Sequence, residues 1–127
     1  MAKYDKNGFI TELGDDERFV FGSNLAGRHG AGSALQAKQR FGAVYGVGEG
    51  VTGQTYAFPT LDGQLRKLPH WRLLEATTNL FYEAHLRPED TFLITKVGCG
   101  LAGYEEEYMR SFFLYPAPNM VLPEDWR

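Results

Sequence analysis

The sequence predicts an α/β domain in which a mixed, mostly parallel central sheet is sandwiched between helices, a three-layer α/β/α arrangement. Three observations carry this. Short apolar β-former runs alternate with helical periodicity, two of those runs empty directly into glycine-rich loops, and each such loop leads into a segment with helix-start chemistry. A chain of 127 residues, 43% hydrophobic, can bury about two-thirds of its unfolded surface around one core and is too short for two ordinary domains. Residues 1–127 are therefore read as one domain, with 1–8 as a flexible lead.

Phe9 to Leu13 reads as a short edge strand or hairpin arm, stopped by Gly14 and the acidic turn Asp15-Asp16-Glu17. Arg18 to Phe21 is a buried strand that halts at Gly22. The loop Gly22 to Gly32 then enters a helix over Ser33 to Phe41, with Ala34, Ala37 and Phe41 on one stripe, Gln36, Gln39 and Arg40 outward, and Gly42 as its stop. Gly42, Gly46, Gly48, Gly50 and Gly53 crowd the next segment, which is expected to be a mobile loop or loosely ordered flap. Gln54 to Phe58 is a strand ended by Pro59-Thr60, since proline removes the next ladder donor. Leu61 to Leu68 is a connector.

The longest helix spans Pro69 to Leu86, with an apolar face of Trp71, Leu74, Thr78 and Phe81 beside a second stripe of Leu73, Thr77, Leu80 and Ala84, and Glu83 placed to pair with Arg87. Thr91 to Val97 is a nearly continuous apolar run, as expected of a central strand covered on both faces. It empties into Gly98 to Tyr104. Glu105, Glu106 and Glu107 then complement the positive end of a helix running to about Phe113, and Asn119 to Leu122 is a final strand.

A formal net charge of -3 with no clustered Lys/Arg surface argues against broad nucleic-acid binding, which needs such a surface to displace counterions. The single Cys99 forms no internal disulfide, and the start of the chain lacks signal-peptide pattern, so a cytoplasmic location is expected. No apolar run approaches the roughly 20 residues needed to cross a bilayer. No set of metal ligands has recognised spacing, so neither metal nor cofactor is expected, and the protein is expected to be a monomer.

In an α/β sheet the ligand crevice lies at the carboxyl ends of the strands, where both glycine loops sit. Glycines there let backbone N–H groups approach a diphosphate without an intervening Cβ, and the following helix N-terminus adds positive potential. Gly98 to Gly103 reads G-x-G-x-x-G after a strand, but too little chain follows for a full dinucleotide-binding unit, and no G-K-[ST] occurs for a P-loop.

The stretches F-V-F-G-S-N-L-A-G-R-H-G-A-G, Y-A-F-P-T and I-T-K-V-G-C-G-L-A-G-Y resemble the macrodomain family, in particular its short macro-like members from phages and prophages, over roughly residues 19–113. The resemblance implies binding of ADP-ribose or a related nucleotide diphosphate. It puts the distal ribose on Asn24 and on Gly27, Gly30, Ala31 and Gly32, and the diphosphate on Gly98, Cys99, Gly100, Leu101, Ala102, Gly103 and Tyr104; Gly22, Ser23, Pro59 and Thr60 complete the expected site. It further implies hydrolysis of an ADP-ribosyl ester or glycosidic bond, or of ADP-ribose 1''-phosphate. One similar subgroup carries an aspartate where this chain has Ala102, and its mechanism is not carried over.

Asn24 and His29 are the candidate catalytic pair, framing a water near the distal ribose. Asn24 is equally a common turn residue after a strand, and His29 without a visible carboxylate partner equally solvates the loop or stacks on ligand. Cys99 before a helix start is a nucleophile candidate but reads better as a packed residue or backbone donor. Tyr104 lies over a ribose or base, or caps the last helix. Lys96 faces the cleft or snorkels from a sheet edge. The alternatives to an enzyme are a non-catalytic nucleotide sensor or sponge, and a protein-interaction module whose glycine loops are only tight turns.

Overall fold

The computed structural model describes all residues 1–127. A small antiparallel hairpin, β1 (Lys3–Tyr4) and β2 (Ile10–Glu12), precedes the main sheet, so residues expected to form a flexible lead contribute a strand. The main sheet takes β3 (Glu17–Asn24), β4 (Gly50–Thr52), β5 (Thr55–Leu61), β6 (Thr91–Ile94) and β7 (Met120–Val121) in the spatial order β4-β5-β3-β6-β7. Only the β4–β5 pair is antiparallel. Helices α1 (Gly32–Arg40), α2 (His70–Leu86) and α3 (Glu106–Arg110) complete the fold, with 3-10 turns at Ser111–Phe113 and Glu124–Trp126. None of the helices is long and apolar enough to cross a membrane.

The alternation of β3 divides the core in two. Phe19 and Phe21 join Ala34, Ala37 and Phe41 of the α1 segment in one cluster, while Val20 joins Leu73, Leu80, Met109 and Phe113 from α2 and the α3 segment in the other. Helices that follow neighbouring strands thus belong to different clusters.

Several elements differ from their sequence reading. The strand expected at Arg18 to Phe21 runs on as β3 through Gly22, Ser23 and Asn24, because parallel pairing with β5 continues to Ser23–Pro59 and, after a shift of register, to Asn24–Leu61. Pro59 lies inside β5 rather than ending it: the ladder with β4 stops at Ala57, so the proline breaks no bond on that side. The 91–97 run does form an interior strand, flanked by β3 and β7, but it ends at Ile94; Thr95 then turns its hydroxyl to the Val20 carbonyl at 2.8 Å.

In α2 the buried stripe is Leu73, Ala76, Leu80 and Ala84, and Trp71 and Leu74 face outward at 65% and 46% exposure. Two apolar stripes side by side do not reveal which one the sheet covers. Glu83 and Arg87 do pair, at 2.9 Å.

The expected flap over 42–53 is instead a tied strap that includes β4. The Gly46 N–H donates to the Gly27 carbonyl at 2.8 Å, the Ser23 hydroxyl donates to the Gly48 carbonyl, and the Gln54 N–H donates to the Phe41 carbonyl at 2.9 Å. Its glycines permit close backbone approach: a Cβ at Gly48 would overlap the Asn24 carbonyl.

Candidate functional site

The carboxyl ends of β3, β5 and β6 meet at one edge of the sheet. A Cβ built on Gly22 would lie 3.2 Å from the Gly98 nitrogen, so the two glycine loops begin in backbone contact. The Thr60 hydroxyl, donating to the Ser23 carbonyl at 3.2 Å, closes the third side. After β3 the chain turns to α1 and the Phe19/Phe21 cluster; after β6 it turns to α3 and the Val20/Ile94 cluster. Adjacent parallel strands whose following segments depart to opposite faces open a crevice between their ends, the usual ligand position in such sheets.

Within this edge the glycines fall into two kinds. Gly22, Gly27 and Gly98 have backbone roles: a Cβ at Gly27, which sits at φ +68°, would overlap Gly46 and Val47, and one at Gly98, at φ +77°, would meet Tyr104 at 3.0 Å. Gly30, Gly32 and Gly100 are exposed, and a Cβ at any of them would meet nothing within 4 Å. Gly30, Ala31 and Gly32 form the exposed approach to α1, whose N-cap residue Ala31 offers no side-chain cap, leaving first-turn N–H groups without that partner. Gly100, Leu101 and Gly103 are likewise exposed, with Ala102 half-buried between them. Packing therefore explains the first set of glycines, the left-handed φ of +59° explains Gly32, and Gly30 and Gly100 are left open.

The polar side chains have mostly internal work. The Asn24 amide donates to the Arg28 carbonyl at 2.9 Å and its oxygen accepts from the Arg28 N–H at 3.1 Å, so it closes the first loop on itself. Ser23, Pro59 and Thr60 are buried at the strand ends. The Tyr104 hydroxyl donates to the Thr60 carbonyl at 2.7 Å and accepts from the Leu68 N–H at 2.8 Å, fastening the second loop to β5 and to the connector. Burial raises its pKa. Tyr104 is thus a tie, with its ring 6.1 Å from and nearly parallel to that of Tyr108.

His29 is 1% exposed and sits edge-on to Phe21 at 5.2 Å, with Tyr45 on its other side at 6.2 Å. Neither ring nitrogen has a hydrogen-bond partner. Burial lowers its pKa; the nearby Val47 backbone favours the charged form in part without reaching bonding geometry, and Lys38 adds to the lowering. The ring is a neutral, sealed group rather than an exposed acid or base. Phe21 and the strap over it explain this, and the strap's partner is not visible from local sequence.

Cys99 is half-buried, its Sγ 3.5 Å from the Val97 carbonyl, and burial followed by the Glu106 carboxylate raises its pKa. Both effects oppose thiolate formation, in contrast to an activated nucleophile. Lys96 does not face the crevice: it pairs with Asp125 at 2.6 Å and Glu106 at 2.9 Å, and these partners raise its pKa. Glu106 also accepts from the Trp126 ring N–H at 3.0 Å, so this group fixes the chain's last turn beside α3.

Two open grooves of about 480 and 350 Å³ lie elsewhere, between the N-terminal hairpin and α1; Thr11 and Arg40 line both. The first also meets Gln54, and the second is flanked by Phe9 and Gly32. Neither touches Gly98–Tyr104, and each is lined by a single carboxylate, Glu12 in the first and Asp5 in the second. The strand-end edge is defined by backbone approach, not by depth.

The residues that sequence reading missed are those of the strap, Gly46 to Gly48, which hold the first loop in shape. Their signal was present as glycine density, which marks close backbone approach as readily as mobility. Comparison of the chain with protein-family models, with curated proteins and with solved structures finds no match.

Proposed function

We propose that the chain is a macro-like domain, with the three-layer arrangement of that family, and that it binds ADP-ribose or a related nucleotide diphosphate at the strand-end edge. One observation carries the reading: loops that begin in backbone contact at Gly22 and Gly98 leave opposite ways from adjacent parallel strands, and their outer glycines have no packing partner. Amides of Gly98–Tyr104 take the diphosphate, whose charge suits oriented N–H groups, and Gly27–Gly32 take the distal ribose. The resemblance of F-G-S-N-L-A-G-R-H-G-A-G and G-C-G-L-A-G-Y to the family supports the same division.

Binding without turnover is the form of this function the side chains favour. A hydrolase at this edge needs a group to orient or activate water, yet the Asn24 amide is engaged with Arg28 and both His29 nitrogens are sealed. Hydrolysis of an ADP-ribosyl ester, a glycosidic bond or ADP-ribose 1''-phosphate would require the strap to release His29. Calorimetry with ADP-ribose and NAD at millimolar concentration, followed by a turnover assay on ADP-ribose 1''-phosphate, tests both statements. Silence with both nucleotides defeats the binding reading, and product formed at a rate that depends on His29 defeats the sensor form.

A further inference from the structure

Six cationic side chains, Lys3, Arg18, Arg66, Arg72, Arg87 and Lys96, are held by carboxylates. Arg28 and Lys67 are not; each donates instead to a backbone carbonyl at the strand-end edge. Arg28, in the first loop, reaches the Gly63 carbonyl at 2.5 Å, and Lys67 reaches the Gly103 carbonyl in the second loop at 3.1 Å. Gly63 and Lys67 both belong to the connector after β5, a turn closed by a bridge between Leu61 and Lys67. One cation therefore spans from the first loop to the connector, and the other from the connector to the second loop.

The charge around them is one-sided. Segments 22–32, 61–68 and 98–104 contain Arg28, Arg66 and Lys67 against a single acid, Asp62, which is paired with Arg66 at 3.2 Å. This occurs in a chain whose formal net charge is -3. A cation resting on a neutral carbonyl has its hydrogen bond met but its charge uncompensated, so a phosphate oxygen, which brings opposite charge as well as an acceptor, displaces the carbonyl favourably.

We propose that Arg28 and Lys67 are a pair of phosphate-contacting residues that close on the diphosphate from the two sides of the connector. The proposal rests on the nucleotide reading above and adds the charge requirement to it. The two cations hold separate loops, so negative charge at two places, as a pyrophosphate-bridged nucleotide carries and a nucleoside monophosphate does not, suits the pair best. Backbone amides position the ligand, and the cations discriminate by charge.

Calorimetry across a salt series, with ADP-ribose, AMP and inorganic pyrophosphate as probes, tests this on the intact chain and on Arg28→Gln and Lys67→Gln. Each variant is expected to weaken ADP-ribose binding about tenfold and to flatten its salt dependence, with a smaller effect on AMP. Arg28→Lys keeps the charge and is expected to recover part of the loss, separating charge from damage to the loop. ADP-ribose bound equally well by the intact chain and both Gln variants overturns the pair and leaves the nucleotide reading standing. Pyrophosphate binding that depends on both cations, without ADP-ribose binding, keeps the pair and overturns the nucleotide reading. Binding of neither anion overturns both.

Discussion

Replacing Gly30 or Gly100 by valine separates glycines needed for folding from glycines needed for ligand. Neither has a positive φ, and a Cβ at either meets no atom within 4 Å, so the new β-carbon brings no clash and the backbone no left-handed strain. Both positions are exposed, where substitutions usually change stability by no more than about 0.5 kcal/mol, and restricting the unfolded chain acts in the stabilising direction. A branched side chain there nonetheless occupies the space in front of amides assigned to the ligand. At Gly100, loss of two amide–phosphate hydrogen bonds, at about 1.5–3 kcal/mol each, removes at least about 3 kcal/mol, a weakening of roughly a hundredfold or more; at Gly30, in the ribose-binding loop, two neutral hydrogen bonds at about 0.5–1.5 kcal/mol each remove about 1–3 kcal/mol, a weakening of roughly fivefold to a hundredfold. Thermal denaturation and calorimetry with ADP-ribose, run on the same samples, give both quantities. Wild-type affinity in Gly30→Val and Gly100→Val, with unchanged melting, would refute the assignment of these amides. Gly22→Ala serves as the contrast, since its Cβ presses on the Gly98 nitrogen at 3.2 Å and is expected to lower stability and binding together.

Gly27→Ala is expected to destabilise the fold by about 3 kcal/mol or more: left-handed backbone alone costs an L residue roughly 1–2 kcal/mol, and the new methyl overlaps the strap at Gly46 and Val47; urea unfolding measures it. His29→Phe, which fills similar space without leaving polar nitrogens unpaired, is expected to stabilise by about 1–3 kcal/mol. The same ring makes stability depend on pH. Its native pKa is lowered, so as pH falls through about 6.5 the unfolded imidazole takes up a proton before the native one, stability drops, and the drop ends once the native ring protonates. The variant should lack this step, and urea titrations between pH 7.5 and pH 5, about the range over which a free imidazole titrates, will show whether it does. Cys99 is expected to react with iodoacetamide more slowly than a free thiol at neutral pH, because burial and Glu106 both disfavour its thiolate; modification at the free-thiol rate would contradict the packing described here.

Local signals in the sequence located the parts that depend on short-range chemistry. The strand at Arg18 to Phe21, the α1 stripe of Ala34 and Ala37, the Glu83–Arg87 pair and the glycine loops at strand ends all follow from spacing and residue type. What escaped was set by contacts distant in the chain. Nothing near Gly46 announces that its N–H will meet Gly27, and nothing near Lys96 announces Asp125, which lies 29 residues on. The choice between two apolar stripes on α2 likewise depends on which face β5 presents, and Trp71 looks as suited to a core as Leu73 until the sheet is in place. In the site, the glycines were legible because their function lies in the backbone. The engagement of Asn24 with Arg28 and the sealing of His29 were not, because each depends on how a loop closes.

The outermost strands of the main sheet, β4 and β7, are three and two residues long. An unpaired strand border is a template on which another chain can stack, and templates this brief offer few free N–H and C=O groups to a passing neighbour. The protein is accordingly expected to resist border-to-border aggregation at high concentration, since the two longest strands lie inside the sheet, β3 between β5 and β6 and β5 between β3 and β4, and where the β4 ladder stops at Ala57 the following Pro59 offers no N–H to a neighbour.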